Sequence, residues 1–321
     1  MPSVKATGVA AALLTAALCG VAAGAPGPHA SIRVLTIRYR AWNGRVRAAY
    51  VELPAWYGPG DNPPIPLVIS PHGRGVPARD NVRFWGDLPA VGGFAVVNPE
   101  GQGRRLTLYS WGDPGEISDL ARMPAIVRRA LPWLRLARHR TYAIGGSMGG
   151  QEALLLVARH PRELAGAISF DADTNLALRY RDFGHVGAER GLRPLVRYEV
   201  GGTPSSDPRG YAVRSPLDAA RRIAFSGVPL EIWWSVRDRI VTNQRLNSGA
   251  LFRRIVELNP AAPVLGFVGS WRHTAEMWYF RRLPLALATI GLLPPSAAHP
   301  EAHAVLPGPF APPLRPERPS L

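Results

Sequence analysis

The sequence predicts an α/β domain built on a mostly parallel sheet, with an antiparallel hairpin at one edge. Two observations carry this. Short apolar runs of strand length alternate with stretches whose apolar residues recur at helical spacing, the pattern of βα crossovers. Ahead of them, residues 32–40 and 45–53 are β-rich and flank Asn43-Gly44, a strong hairpin signal.

The elements follow in chain order. After a Pro/Gly-rich loop (54–66), residues 67–70 read as a short buried strand and 94–97 as another. Residues 117–136 read as a helix, with apolar side chains at Leu120, Met123, Ile126, Val127, Leu131 and Leu134. Strand 141–144, helix 148–159 and strand 167–170 come next. Residues 174–211 break the alternation, run too long for an ordinary connection, and are the candidate cap or lid. Helix 216–224, strand 230–235, helix 243–258, strand 264–268 and a last helix over 274–292 complete an eight-stranded sheet. The Pro- and Ala-rich segment 294–321 has little to bury and reads as a disordered tail.

Composition narrows the partners. With 46% hydrophobic residues the chain can build a sizeable core. Its formal charge of +15 comes almost wholly from arginine, since Lys5 is the only lysine. The arginines are scattered singly or in pairs and accompany no nucleic-acid-binding motif, so a small-molecule partner is expected and nucleic acid is not.

Residues 1–25 read as a signal peptide. Lys5 supplies the positive start, residues 9–18 the apolar stretch, and Ala23-Gly24-Ala25 the cleavage site. The stretch is too short to predict stable membrane insertion, so a secreted or envelope-associated protein is expected. Cys19 offers a lipid-attachment site, but the bulky Leu18 before it argues against one. Cleavage near Ala25 leaves no cysteine, hence no disulfide and no thiolate metal site. The expected catalytic domain is then 26–293.

The chemistry centres on Gly145-Gly146-Ser147-Met148-Gly149-Gly150, between a strand and a helix. A serine on so tight a turn adopts a strained backbone, and glycines two before and two after relieve the crowding of its Cβ. Ser147 is the predicted nucleophile. His273 is its predicted base, because His299 and His303, the other histidines after the later strands, lie in the tail. Asp238, just after strand 230–235, is the predicted acid, with Asp171 and Asp173 as competitors one strand earlier. The oxyanion would be held by the backbone amides of Met148 and of Arg74, in the loop Ser70-Pro71-His72-Gly73-Arg74-Gly75. His72 itself reads as a loop histidine bonded to backbone.

These ordered motifs, His72-Gly73, Gly145 to Gly149, Asp238 and His273, resemble the α/β-hydrolase superfamily, and most of all its secreted esterases and prolyl-oligopeptidase-like hydrolases. The resemblance spans about residues 32–293. It implies serine attack on a carbonyl, an acyl-enzyme, hydrolysis by water and no cofactor. One departure is Trp271-Arg272 before the histidine, where many relatives carry a small or acidic residue. Trp111, Trp234 and Trp271 are candidates to line a substrate pocket, although tryptophans beside strands equally pack a core. The expected activity is carboxylic-ester hydrolysis. The alternatives are a peptidase acting on short peptides and an inactive hydrolase scaffold that only binds.

Overall fold

A computed structural model describes residues 32–185, 191–298 and 316–317. Residues 1–25, read as a signal peptide, and with them Cys19, lie outside the described residues, as do 299–315 and 318–321 of the segment read as tail.

One sheet organises the chain. Strands β1 (Ile32–Arg40) and β2 (Val46–Pro54) form the predicted hairpin, with Arg40 opposite Val46 and Ile32 opposite Pro54. They are followed by β3 (Ile65–Ile69), β4 (Ala95–Pro99), β5 (Leu136–Gly146), β6 (Gly166–Phe170), β7 (Leu230–Ser235) and β8 (Val264–Gly269). A two-residue β9 (Pro316–Glu317), from the segment read as tail, pairs antiparallel with Gly266 and Phe267. The spatial order is β1-β2-β4-β3-β5-β6-β7-β8-β9, and β3 to β8 run parallel. All eight strands read from the sequence form. Nothing described here is a helix long and apolar enough to cross a membrane.

The period-2 alternation of strands divides the interior into two layers. Leu67, Ile69, Val97, Ala143, Ala167 and Ile232 face one layer, closed by α3 (Pro114–Ala130), α4 (Met148–Arg159), α8 (Ala220–Ala224) and α9 (Ser248–Leu258). Val68, Val96, Ile144, Ile168, Phe170 and Trp233 face the other, closed by α1 (Ala78–Trp85), α2 (Leu88–Gly92) and α10 (Leu283–Thr289). Because β3 sits between β4 and β5, the chain leaves it to one side and returns on the other. That reversal opens a crevice at the carboxyl ends of β3 and β5.

Three readings change. The helix expected over 117–136 is α3: it starts at Pro114, where Asp113 caps the Gly115 and Glu116 amides, and stops at Ala130. Pro132 is the cause, since the residue before a proline is pushed out of the helical region and Leu131 has φ −127° and ψ 74°. The helix expected over 274–292 shrinks to a 3₁₀ turn (Ala275–Met277) and α10. Between them the Tyr279 amide bonds the Phe84 carbonyl instead of continuing a helix. Residues 174–211, expected only to break the alternation, hold three helices among the described residues: α5 (Leu176–Asp182), α6 (Leu192–Val200) and α7 (Pro208–Ala212). Their apolar faces close around Trp111, with Leu176, Tyr180, Phe183, Val196, Val200 and Tyr211.

Buried charge fastens this insertion to the body. Arg214, 3% exposed, donates to Asp113 Oδ2 at 2.7 Å and to the Ser110 carbonyl, and lies 3.5 Å from Glu199 Oε1. Removing the guanidinium leaves two buried carboxylates without it. Arg214→Ala is therefore expected to lower unfolding free energy by about 3–5 kcal/mol, read from the urea midpoint.

Candidate active site

Ser147 stands where β5 gives way to α4, at the mouth of the crevice. Its φ of 59° and ψ of −126° put a non-glycine residue in a strained, left-handed turn. Two bonds hold it there: its amide donates to the Phe170 carbonyl at 2.9 Å, and its carbonyl accepts from Gln151 at 3.0 Å. The neighbouring glycines are sterically required. A Cβ on Gly145 would lie 2.5 Å from the Gly149 carbonyl oxygen, and one on Gly149 would collide with the Pro71 carbonyl. Met148 opens α4, so its amide belongs to the first turn, whose N–H groups have no intrahelical partner.

Opposite lies the loop after β3. His72 is buried and both its ring nitrogens are engaged: Nε2 accepts from the Gly101 amide at 2.9 Å, and Nδ1 faces the Gly73 carbonyl at 2.7 Å. Accepting at Nε2 fixes the proton on Nδ1, and burial draws the imidazole pKa below its ordinary value. His72 is thus a neutral brace for the turn carrying Arg74.

The loops after β7 and β8 bring in the other two groups. Asp238 Oδ1 accepts from the Ile240 and Val241 amides at 2.8 and 3.1 Å, and Oδ2 accepts from Gln244 Nε2 at 3.1 Å. Its Oδ2 also lies 2.7 Å from His273 Nδ1. With Nδ1 donating there, the lone pair of the imidazole is on Nε2. Ser147, His273 and Arg74 line one small cleft of about 150 Å³, whose apolar wall is Val76, Phe84, Ile240 and Met277.

The competing acids have other engagements. Asp173 is paired with Arg179 in the interior. Asp171, fully buried with φ 46°, accepts from the Ser235 amide (2.8 Å), Trp271 Nε1 (2.9 Å) and the Thr274 amide (2.7 Å). It therefore ties the ends of β6 and β7 to both flanks of His273. Trp271, the departure noted above, is one of those ties. Asp171, Asp238 and His273 bring ligand-type atoms within 4.8 Å of one another, but the carboxylates are already surrounded by N–H donors. Such a donor set fits a hydrogen-bonded network better than a metal.

The three tryptophans expected to line a pocket lie elsewhere. Trp111 is buried among the helices of the insertion, Trp234 packs on Phe252 in the larger core, and Trp271 is buried on Asp171. None borders the cleft, because their large apolar rings are worth more in the interior. Gln244 and the Asp171 tie escaped sequence reading. Nothing local marks them, since the Asp171 donors at Ser235 and Thr274 stand 64 and 103 residues away.

No family model and no curated protein matches the sequence. Solved structures do match. The acylaminoacyl peptidase of Pyrococcus horikoshii superimposes with a TM-score of 0.61 at 14% identity, over 81% of this chain and 41% of that one. Dipeptidyl peptidase 4 of Porphyromonas gingivalis gives 0.58 at 17%, over 81% and 35%. A Pyrococcus furiosus esterase gives 0.51 at 17%, over 75% and 85%. The chain spans about two fifths or less of the two peptidases and most of the esterase. With this sheet order and elbow, the likeness establishes the α/β-hydrolase fold.

Asp171 also makes the site pH-sensitive. Burial pushes its pKa up to about 7, with Asp238 adding to the rise and His273 opposing it. A raised folded-state pKa means stability that is complete below the ordinary carboxylate value near 4 and is lost as pH climbs through about 7. In Asp171→Asn, unfolding free energy should lose a slope of up to about 1.4 kcal/mol per pH unit across that window. An unchanged slope in urea titrations at several pH values would refute the assignment.

Proposed function

We propose that this protein is an exported serine hydrolase acting on carboxylic esters through an acyl-enzyme. One observation carries the reading: an imidazole bonded to a carboxylate at 2.7 Å lines the same cleft as a serine held in a strained elbow. The remaining support is the fold and the signal-peptide pattern of residues 1–25.

In this reading Ser147 Oγ attacks the ester carbonyl carbon while His273 Nε2 takes its proton. Asp238 fixes the imidazole tautomer and stabilises the imidazolium. The tetrahedral oxyanion accepts from the Met148 and Arg74 amides. Collapse expels the alcohol, which leaves with the proton held by His273. Water then repeats the sequence on the acyl-enzyme, releasing the acid and restoring Ser147. A cleft of about 150 Å³ suits a short acyl group.

Ser147→Ala should cut turnover of nitrophenyl esters by about a million-fold on the precedent of serine proteases, and abolish fluorophosphonate labelling, with the unfolding midpoint preserved. Near-normal ester turnover in that variant would overturn the reading. Faster cleavage of peptide anilides than of matched esters would instead make it a peptidase, and failure of the wild-type protein to label would make it a binding scaffold.

A further inference from the structure

A cavity larger than the cleft lies outside the site just described. It is an open groove of about 830 Å³ over α5 and α6, bordered by Arg105, Arg193 and Arg197 and by the rings of Tyr180, Phe183 and Tyr198. Among the described residues no carboxylate borders it. Among the described residues none of the three arginines has an ion-pair partner.

The arrangement of these groups is specific. Arg193 and Arg197 stand four apart on α6, so helical spacing puts two like charges side by side. The Arg193 guanidinium lies over the Tyr180 ring at 4.6 Å and that of Arg105 over the Tyr198 ring at 5.1 Å. A guanidinium held on a ring face keeps in-plane N–H groups for a carboxylate or phosphate, although Arg105 gives one of its own to the Tyr198 carbonyl. The one acid of α6, Glu199, cannot neutralise them. It is buried on the opposite side, where it accepts from the Arg104, Arg105 and Leu106 amides and thereby fixes the loop bearing Arg105.

One contact joins groove and cleft. Phe183 borders the groove, Arg74 borders the cleft, and the Arg74 guanidinium sits 5.7 Å over the Phe183 ring. We propose that the groove binds an anionic group, carboxylate or phosphate, carried by the substrate at a distance from its scissile ester, with the substrate running past Arg74. This deepens the hydrolase reading and rests on it for the ester alone.

The test uses the full chain and nitrophenyl esters in matched pairs, neutral against ω-carboxylate or ω-phosphate, over increasing chain length. At low ionic strength the wild type should show a KM about tenfold lower for the charged member at one chain length. The double variant Arg193→Ala/Arg197→Ala should erase that preference while leaving kcat/KM for the neutral ester unchanged. Which anion gains more tells carboxylate from phosphate. No preference in the wild type, or the same preference in the double variant, overturns the proposal. A binding readout separates it from the hydrolase reading: free dicarboxylate or alkyl phosphate should raise the Tm of Ser147→Ala as it does that of the wild type, and not that of the double variant. Equal Tm shifts in all three proteins would sink the groove whatever the fate of the catalysis.

Discussion

At the carboxyl edge of the sheet the backbone of Gly149 comes so near the Pro71 carbonyl that no side chain fits between them. That close approach brings the first turn of α4 against the loop after β3, and most of the site follows from it. It leaves Ser147 a turn only a strained backbone can make, which the Phe170 and Gln151 bonds hold in place. It also puts the helix N-terminus, with its partial positive charge, beside the loop of Arg74. His72 keeps that loop from relaxing, bonded to Gly101 on one side and facing the Gly73 carbonyl on the other.

Two buried carboxylates share the work on the other side of the cleft. Asp238 touches the imidazole itself, whereas Asp171 holds the chain on either side of it, through Trp271 and Thr274. Both collect N–H donors, and a carboxylate so surrounded resists being moved. The histidine loop, which carries no regular helix until α10, takes its shape from these bonds.

Four of the parallel strands, β3, β4, β6 and β7, were legible because each is a short apolar run buried on both faces, and the hairpin because Asn43-Gly44 marks its turn. Ser147, His273 and Asp238 could be singled out because each stands just past the end of a parallel strand, and the structure brings His273 onto Asp238 and into the cleft that Ser147 lines. What escaped has physical reasons. Helices α1 and α2, of eight and five residues, are too short to show a period. The last helix was overextended because its apolar spacing continues through Met277 and Tyr279, although tertiary bonds to Asp171 and Phe84 claim the backbone there. The tryptophans were drawn toward a pocket by their place near the loops at the carboxyl edge, when burial of so large a ring draws them inward.

Arg214 has an architectural consequence. It lies beyond the inserted helices, yet its guanidinium meets Glu199 within the insertion and Asp113, the residue that caps α3. The insertion is therefore not a modular unit bounded by its own ends. Transplanting residues 174–211 onto a related scaffold would strand Glu199 in the interior unless the arginine travelled with it.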